Sequence, residues 1–164
     1  MSNEIDENIS NIDKVENVPR KRIGIVSIEM VREKNILFDI RIIKSPSDAE
    51  KLGRMFLENA DREKFIICCL DTKNKPTLIN IVSVGSINKS IVHSREVFKA
   101  AILSNTASIV LFHNHPSGDV EPSNEDVNMT NRLKKCGDII GINVMDHIII
   151  GDKQYCSFKE KGLL

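Results

Sequence analysis

The sequence predicts an α+β domain with a mixed sheet, or a three-layer sandwich, in preference to a doubly wound parallel sheet. Three observations support this prediction. Short β-rich runs occur in pairs separated by turn residues, which is typical of hairpins; segments with helical spacing lie between these pairs; and strands do not alternate regularly with helices. A chain of 164 residues is long enough for one such domain and a tail.

The N-terminal part of the chain is predicted to lie outside the main domain. Residues 1–20 are rich in asparagine and acidic side chains, which predicts a flexible tail or a short amphipathic helix that docks on the domain or on a partner. Residues 21–44 contain two β-rich runs, 23–30 and 36–43, on either side of a polar stretch, which predicts an accessory β-hairpin. The main domain is predicted to span residues 45–164.

The first half of the main domain shows a helix followed by a hairpin. Ser47 and Glu50 form a predicted capping box for a helix that continues to about Ala60. Two β-rich runs follow, 65–70 and 77–85, and the turn-forming residues between them predict a central hairpin.

The second half predicts helices on both sides of a buried strand. Ser94 is predicted to cap a helix that runs to about Leu103, and the apolar run 108–112 predicts a buried strand that ends in histidines. Ser123 is predicted to start another helix, which closes at Gly137. Two further strands are expected near the C-terminus, one within 139–150 and a short one over 154–158.

The composition indicates more about the cellular location of the protein than about its function. Lys and Arg number 23, as do Asp and Glu, so the formal net charge is zero and no overall field attracts nucleic acid or a membrane. The apolar runs are interrupted and the acidic start does not resemble a signal peptide, so we expect a soluble cytoplasmic protein. The four cysteines lack the spacing of a metal knuckle or a disulfide framework and are interpreted as reduced packing residues.

A histidine pair at the end of the buried strand is the strongest candidate for chemistry. Residues i and i+2 of an extended segment project to the same side, so the imidazoles of His113 and His115 can converge on one point. Asp126, in the first turn of the next helix, is expected to supply a third ligand. Three nitrogen and oxygen ligands leave a fourth position open for water, as in catalytic zinc sites. The alternative is a polar strand end followed by an ordinary helix cap made by Ser123 and Asp126.

The string HNHPSGDVEPSNED, at residues 113–126, resembles the JAMM motif of the MPN/JAB metallo-hydrolase domain. The flanking segments LDTKN at 70–74, HSREVFKAA at 93–101 and DHIIIGD at 146–152 are similar to those of the RadC family of bacterial proteins. The resemblance spans about residues 45–160. The fold that it implies is a curved mixed β-sheet flanked by helices, an MPN/JAB-type three-layer sandwich like that of cytidine deaminases.

The resemblance also implies a role for each residue of the motif. Zn²⁺ would be bound by His113, His115 and Asp126, with the Ser123 hydroxyl near the substrate carbonyl to stabilise the developing oxyanion. The implied reaction is hydrolysis of a peptide or isopeptide amide bond in a protein substrate, by a water whose pKa zinc lowers to about 7. The loop residues that we expect to bind substrate are Asn114, Pro116, Ser117 and Gly118.

A glutamate is needed to activate the zinc-bound water, and two are candidates. Glu63 occupies the place between the first helix and the following strand where the MPN pattern puts its base, so it is our first choice. Glu96 lies in a RadC-like segment, but a position in the first turn of a helix explains it as a capping residue. His147 is interpreted as a hydrogen-bonded structural residue, with a role behind the metal ligands as the alternative.

A non-enzymatic function is the alternative to hydrolysis. A RadC-like accessory protein in DNA repair or recombination would bind DNA or protein without catalysis. Its binding to DNA would depend strongly on salt, and the zero net charge does not favour it. The motifs of two other zinc classes, H-x-E with P-C-x-x-C and HEXXH, are absent from the sequence. The oligomeric state is not indicated.

Overall fold

The structure, a computed structural model, describes residues 22–85 and 92–164. Three helices and five strands lie within these ranges. In chain order they are α1 (Pro46–Leu57), β1 (Lys64–Leu70), β2 (Pro76–Val84), α2 (Ser94–Leu103), β3 (Ser108–Asn114), α3 (Asn124–Ile140), β4 (Asn143–Ile150) and β5 (Tyr155–Ser157). None of these described helices is both long enough and apolar enough to cross a membrane.

The five strands form one mixed sheet in the order β2-β1-β3-β4-β5. β1 and β2 pair as the predicted hairpin, β1 runs antiparallel to β3, and β4 runs antiparallel to β5. β3 and β4 are parallel, and α3 is the crossover that connects them. The predicted α+β fold with a mixed sheet is therefore confirmed.

Helices cover both faces of the sheet. Alternate side chains of the central strands point to opposite faces, so each strand contributes to two separate cores. The core against α1 contains Ile66, Cys68, Val110 and Phe112. The core against α2 and α3 contains Phe65, Ile67, Ile109 and Leu111. α1 approaches β3 so closely that a Cβ on Gly53 would lie 2.4 Å from the Phe112 ring. The arrangement is the expected three-layer sandwich.

The start of α1 differs from the prediction by two residues. Its N-cap is Ser45 and its capping box pairs Ser45 with Asp48, so the predicted box of Ser47 and Glu50 is wrong. Pro46 is the reason, because proline has no backbone N–H to donate and its fixed φ suits the first helical position.

Two other helix ends also differ from the prediction. α2 begins at Ser94 as its first residue, and the cap position is His93, whose side chain makes no capping hydrogen bond. α3 continues past Gly137 and ends on Gly141, which adopts φ 74°. Gly137 is instead a point of close packing, since a Cβ there would lie 2.4 Å from the carbonyl oxygen of Ile142.

The described residues before α1, 22–45, contain no strand. Within residues 22–44 the predicted accessory hairpin does not form, and all side chains of 22–37 are exposed. A strand needs a neighbour that satisfies its backbone groups and buries one side-chain face, and β-rich composition alone supplies neither. Contact with the domain begins where Phe38 and Ile43 pack on the α1 side. The predicted tail, 1–20, lies outside the described residues, and the division of the chain into three parts stays a prediction.

The four cysteines are all unpaired thiols. Three are buried and the fourth is half-buried; they are Cys68, Cys69, Cys156 and Cys136. Burial raises the pKa of the Cys68 thiol far above its ordinary value. Cys68, Cys69 and Cys156 lie in the hydrophobic cores and Cys136 packs against one of them, which supports the interpretation of these residues as packing residues.

Candidate metal centre

β3 carries the two histidines of the motif to its carboxyl end. His113 is on the face that packs against α2 and α3, and only 1% of its surface is exposed. His115 follows the last strand residue and keeps 20% of its side chain exposed. Their Nε2 atoms lie 2.9 Å apart, as expected for residues i and i+2 at a strand end.

Asp126 reaches the histidines from the first turn of α3. Its Oδ1 lies 3.3 Å from Nε2 of His113, and its Oδ2 lies 3.7 Å from Nε2 of His115. The three candidate ligand atoms all lie within 4.8 Å of one another. Ligands on a tetrahedral zinc ion, with bonds of about 2.0–2.1 Å, are spaced by about 3.3 Å. The structure therefore brings the three residues together in an arrangement that could hold one metal ion.

The orientation of His115 suits a metal ligand. Its Nδ1 lies 2.7 Å from the backbone carbonyl oxygen of Asp119. A carbonyl can only accept, so Nδ1 carries the proton of the neutral ring and Nε2 presents a lone pair to the cluster. Backbone contacts of this kind commonly orient metal-bound imidazoles.

The electrostatics of the cluster favour a positive charge at its centre. Burial alone would raise the pKa of Asp126, but the hydrogen bonds that His113 and His115 donate in their protonated forms outweigh it and hold that pKa well below its ordinary value. When His115 is protonated, its Nε2–H donates to Asp126, and this hydrogen bond raises the pKa of His115 against the effect of burial. The carboxylate therefore stays ionised and attracts either a proton or a metal cation. Two imidazole nitrogens and one carboxylate form a donor set that fits Zn²⁺.

Ser123 holds the carboxylate of Asp126 in place. As the N-cap of α3, its Oγ donates to Asp126 Oδ2 at 2.6 Å and accepts from the Asp126 backbone N–H at 3.1 Å. Its own backbone N–H donates to the same Oδ2 at 2.8 Å. These bonds fix one carboxylate oxygen and leave the other directed at His113. The expected contact of Ser123 with a substrate carbonyl stays a prediction.

His147 lies directly behind His113. Its Nε2 is 2.8 Å from His113 Nδ1, and its Nδ1 is 2.6 Å from Thr130 Oγ1. A bulge in β4 explains its direction, because Ile109 pairs with Val144 while the next β3 residue pairs with Asp146. The extra residue reverses the alternation and turns His147 toward α3. Burial lowers its pKa well below the ordinary value, so the ring is neutral.

Glu63 immediately precedes β1, the strand that pairs with β3. The side chain of Asn114 holds the backbone on both sides of it: Oδ1 accepts from the Lys64 N–H at 2.9 Å, and Nδ2 donates to the Arg62 carbonyl at 3.1 Å. The negative charge of Glu63 is close enough to contribute to the raised pKa of His115. Glu63 is thus the candidate base whose charge acts on the cluster.

Glu96, the rival base, lies on the surface in the first turn of α2. Its carboxylate accepts a hydrogen bond of 2.6 Å from Lys99, which lowers its pKa, and it also lies 3.8 Å from Arg95. Its charge therefore interacts with neighbours on its own helix. These ion pairs explain Glu96 as a surface residue of α2, and Glu63 stays our first choice for the base.

The predicted substrate-binding residues divide into two groups. Asn114 is 4% exposed, and its side chain is hydrogen-bonded to the backbone on both sides of Glu63; its contact with substrate stays a prediction. Pro116 and Ser117 are exposed beside the histidines. Gly118 adopts φ 84° and donates its N–H to the His115 carbonyl at 2.9 Å, which closes the turn. A substrate role for the last three stays a prediction.

Sequence reasoning missed two contributors to the site. Thr130 lies one helical turn after Asp126, on the same face of α3, and that spacing is the signal that could have found it. Asp119 contributes a backbone carbonyl, which every residue has, so no sequence signal marks it.

Comparisons with known proteins agree with this geometry. The sequence model of a family described as the RadC-like JAB domain matches residues 43–163. A UPF0758 protein of Clostridium novyi is 51% identical over 126 residues, which cover 77% of this chain and 55% of the relative. A UPF0758 protein of Methanosarcina barkeri is 40% identical over 161 residues, 96% of this chain and 70% of the relative. A UPF0758 protein of Clostridium acetobutylicum is 53% identical over 122 residues, which cover 74% of this chain and 53% of the relative. The chain spans about half the length of the clostridial relatives.

Proposed function

The chain belongs to the RadC-like JAB domain family, and we propose that it is a zinc-dependent hydrolase that cuts peptide or isopeptide amide bonds in a protein substrate. One observation carries the proposal: two imidazole nitrogens and a carboxylate converge within 4.8 Å of one another. A donor set of this kind with an acid beside it suits hydrolysis better than structural support, because a structural zinc site has four protein ligands.

His113, His115 and Asp126 are the residues that would hold the zinc ion. Bound zinc supplies Lewis-acid polarisation of a carbonyl and makes a water molecule more acidic. The chain supplies the rest through Glu63, which accepts a proton from the attacking water and returns it to the leaving nitrogen. Asn114 fixes the backbone around Glu63 to the strand that carries both histidines, so base and ligands keep one relative position.

The residues on the open side of the cluster would meet the substrate. His115 is partly exposed there, and the turn that follows it carries Pro116 and Ser117 at the surface. Ser123 directs its hydroxyl proton at the Asp126 carboxylate, so we assign it to orienting that ligand ahead of the predicted oxyanion contact.

A cytoplasmic location belongs to the same proposal. All four cysteines are free thiols, and disulfides are rare in reducing compartments.

Hydrolysis is tested in water labelled with heavy oxygen. A library of peptides takes the place of a single chosen substrate. Zinc-loaded protein is incubated in this water with a mixture of linear peptides and peptides joined through lysine isopeptide bonds. Hydrolysis places heavy oxygen in each new carboxyl group, which mass spectrometry detects. We expect zinc-dependent labelled products from the wild type.

Two glutamine variants assign the base. Glu63→Gln should keep its zinc and lose labelled product by about 100-fold or more, which is the range for loss of a general base. Glu96→Gln is the matched control and should keep both zinc and product. Absence of labelled product from the zinc-loaded wild type, or equal product from Glu63→Gln, would contradict the proposal.

A further inference from the structure

A chain of buried hydrogen bonds runs from the backbone of α3 to the metal-facing ring of His113. Thr130 Oγ1 donates to the Asp126 carbonyl oxygen at 2.7 Å and lies 2.6 Å from Nδ1 of His147. Nε2 of His147 lies 2.8 Å from Nδ1 of His113. Thr130 and His147 are 0% exposed and His113 is 1% exposed, so water does not compete for these bonds.

The direction of each proton in this chain follows from its first member. The Asp126 carbonyl can only accept, so the single hydroxyl proton of Thr130 points to it. Thr130 Oγ1 must then accept from Nδ1–H of His147. A neutral imidazole has one N–H, which leaves Nε2 of His147 as an acceptor and makes Nδ1 of His113 the donor.

We propose that Thr130 and His147 are positioning residues that hold His113 in the Nδ1-protonated tautomer, so that its Nε2 presents a lone pair to a metal ion. The inference rests on the proposed metal site and assigns two residues that stabilise it from behind. The Asp119 carbonyl independently holds His115 in the same tautomer, by accepting from its Nδ1–H. Asp126 contributes to the site in two ways. Its carboxylate is a proposed metal ligand, and its backbone carbonyl oxygen sets the direction of the hydrogen bonds through Thr130 and His147.

Thr130→Val tests the proposal because valine has the shape of threonine without its hydroxyl. Nδ1 of His147 then faces an apolar group, where a lone pair costs less than an unpaired N–H. The proton of His147 moves to Nε2, His113 accepts it at Nδ1, and the proton of His113 moves to the Nε2 that faces the metal position. We expect zinc affinity to fall by about 10- to 100-fold, the usual effect of losing such a supporting contact. Thr130→Ser keeps the hydroxyl and should bind zinc as the wild type does.

Two properties of each variant are measured, the zinc affinity and the tautomer of His113. Zinc affinity is measured by competition with a chromogenic chelator, and the tautomers are read from long-range proton–nitrogen correlation spectra of metal-free protein labelled with heavy nitrogen. The proposal predicts a proton on Nδ1 of His113 in the wild type and in Thr130→Ser, and on Nε2 in Thr130→Val. A metal-free wild type with the proton on Nε2 would overturn it, as would wild-type zinc affinity in a folded Thr130→Val.

The spectra of the wild type separate this inference from the proposed function. They need neither zinc nor a substrate, and they decide the tautomer even if Thr130→Val does not fold. A wild type that carries the proton on Nδ1 of His113 but binds no zinc would overturn the proposed metal site and support the hydrogen-bond chain.

Discussion

Helices α1 and α3 begin with the same motif, a serine N-cap followed three residues later by an aspartate. In α1 the Asp48 N–H donates to Ser45 Oγ at 3.2 Å, and in α3 the Asp126 N–H donates to Ser123 Oγ at 3.1 Å. In both, one carboxylate oxygen accepts from the backbone N–H of the serine, at 3.1 Å in α1 and 2.8 Å in α3. The two caps therefore share both hydrogen bonds of the capping box.

The surroundings of the two caps differ. The Asp48 carboxylate lies near the surface and accepts a further hydrogen bond of 3.0 Å from the backbone N–H of Lys44. Asp126 is 8% exposed, and its Oδ1 faces His113 because α3 starts beside the carboxyl end of β3. A capping box can therefore position a metal ligand as well as begin a helix. It holds one carboxylate oxygen and leaves the other free to bind.

The largest difference between the two caps should appear in zinc binding. Asp126→Ala removes one of three ligands, and we expect it to lose measurable zinc after dialysis, whereas the wild type keeps close to one ion per chain. Asp48→Ala is the matched control, since it disrupts the same motif away from the histidines, and it should keep the wild-type zinc content. Elemental analysis measures both. Full zinc content in Asp126→Ala would remove Asp126 from the site.

A smaller difference should appear in thermal stability when zinc is added. A ligand that binds only the folded state stabilises it by about 2.7 kcal/mol at a free concentration 100 times its Kd. The melting temperature of the wild type and of Asp48→Ala should therefore rise with zinc, and that of Asp126→Ala should stay constant. Calorimetry with and without a chelator measures the shift. An equal rise in all three proteins would place the stabilising ion elsewhere.

The smallest difference should separate the two serines. Ser45→Ala and Ser123→Ala each remove an N-cap, which costs about 1 kcal/mol of unfolding free energy, measured by urea denaturation of the metal-free proteins. Ser123→Ala also removes one of the two hydrogen bonds that hold Asp126 Oδ2 and should weaken zinc binding by about 10-fold. Ser45→Ala should leave zinc affinity unchanged. If both variants bound zinc as tightly as the wild type, the capping box would not position the metal ligand.

The ligands themselves are predictable because they lie within 14 residues of sequence, 113–126, where strand and helix periodicity fix their directions. The hairpin of β1 and β2 is also predictable, since two β-rich runs with a turn between them pair locally. The contact between His113 and His147 depends on a bulge in β4 that no local pattern marks. The side-chain directions after the bulge depend on how β4 pairs with β3, which the sequence of β4 alone does not determine.

Sequence patterns mislead where they have no tertiary support, or have more than one use. The β-rich runs 23–30 and 36–43 have no neighbouring strand within the described residues, so their composition does not lead to a hairpin. Gly137 fits a helix terminus in sequence, but packing against Ile142 is what requires it. Pro46 suits the end of an extended segment and equally suits the first turn of a helix, which is where it lies.

Anomalous diffraction from crystals grown with zinc tests directly whether His113, His115 and Asp126 bind the ion. Data collected on both sides of the zinc absorption edge locate the ion without assumptions about the ligands. We expect one strong peak at the carboxyl end of β3, about 2.0–2.2 Å from Nε2 of His113, Nε2 of His115 and a carboxylate oxygen of Asp126. Crystals that contain zinc but show no peak among these three residues would contradict this assignment.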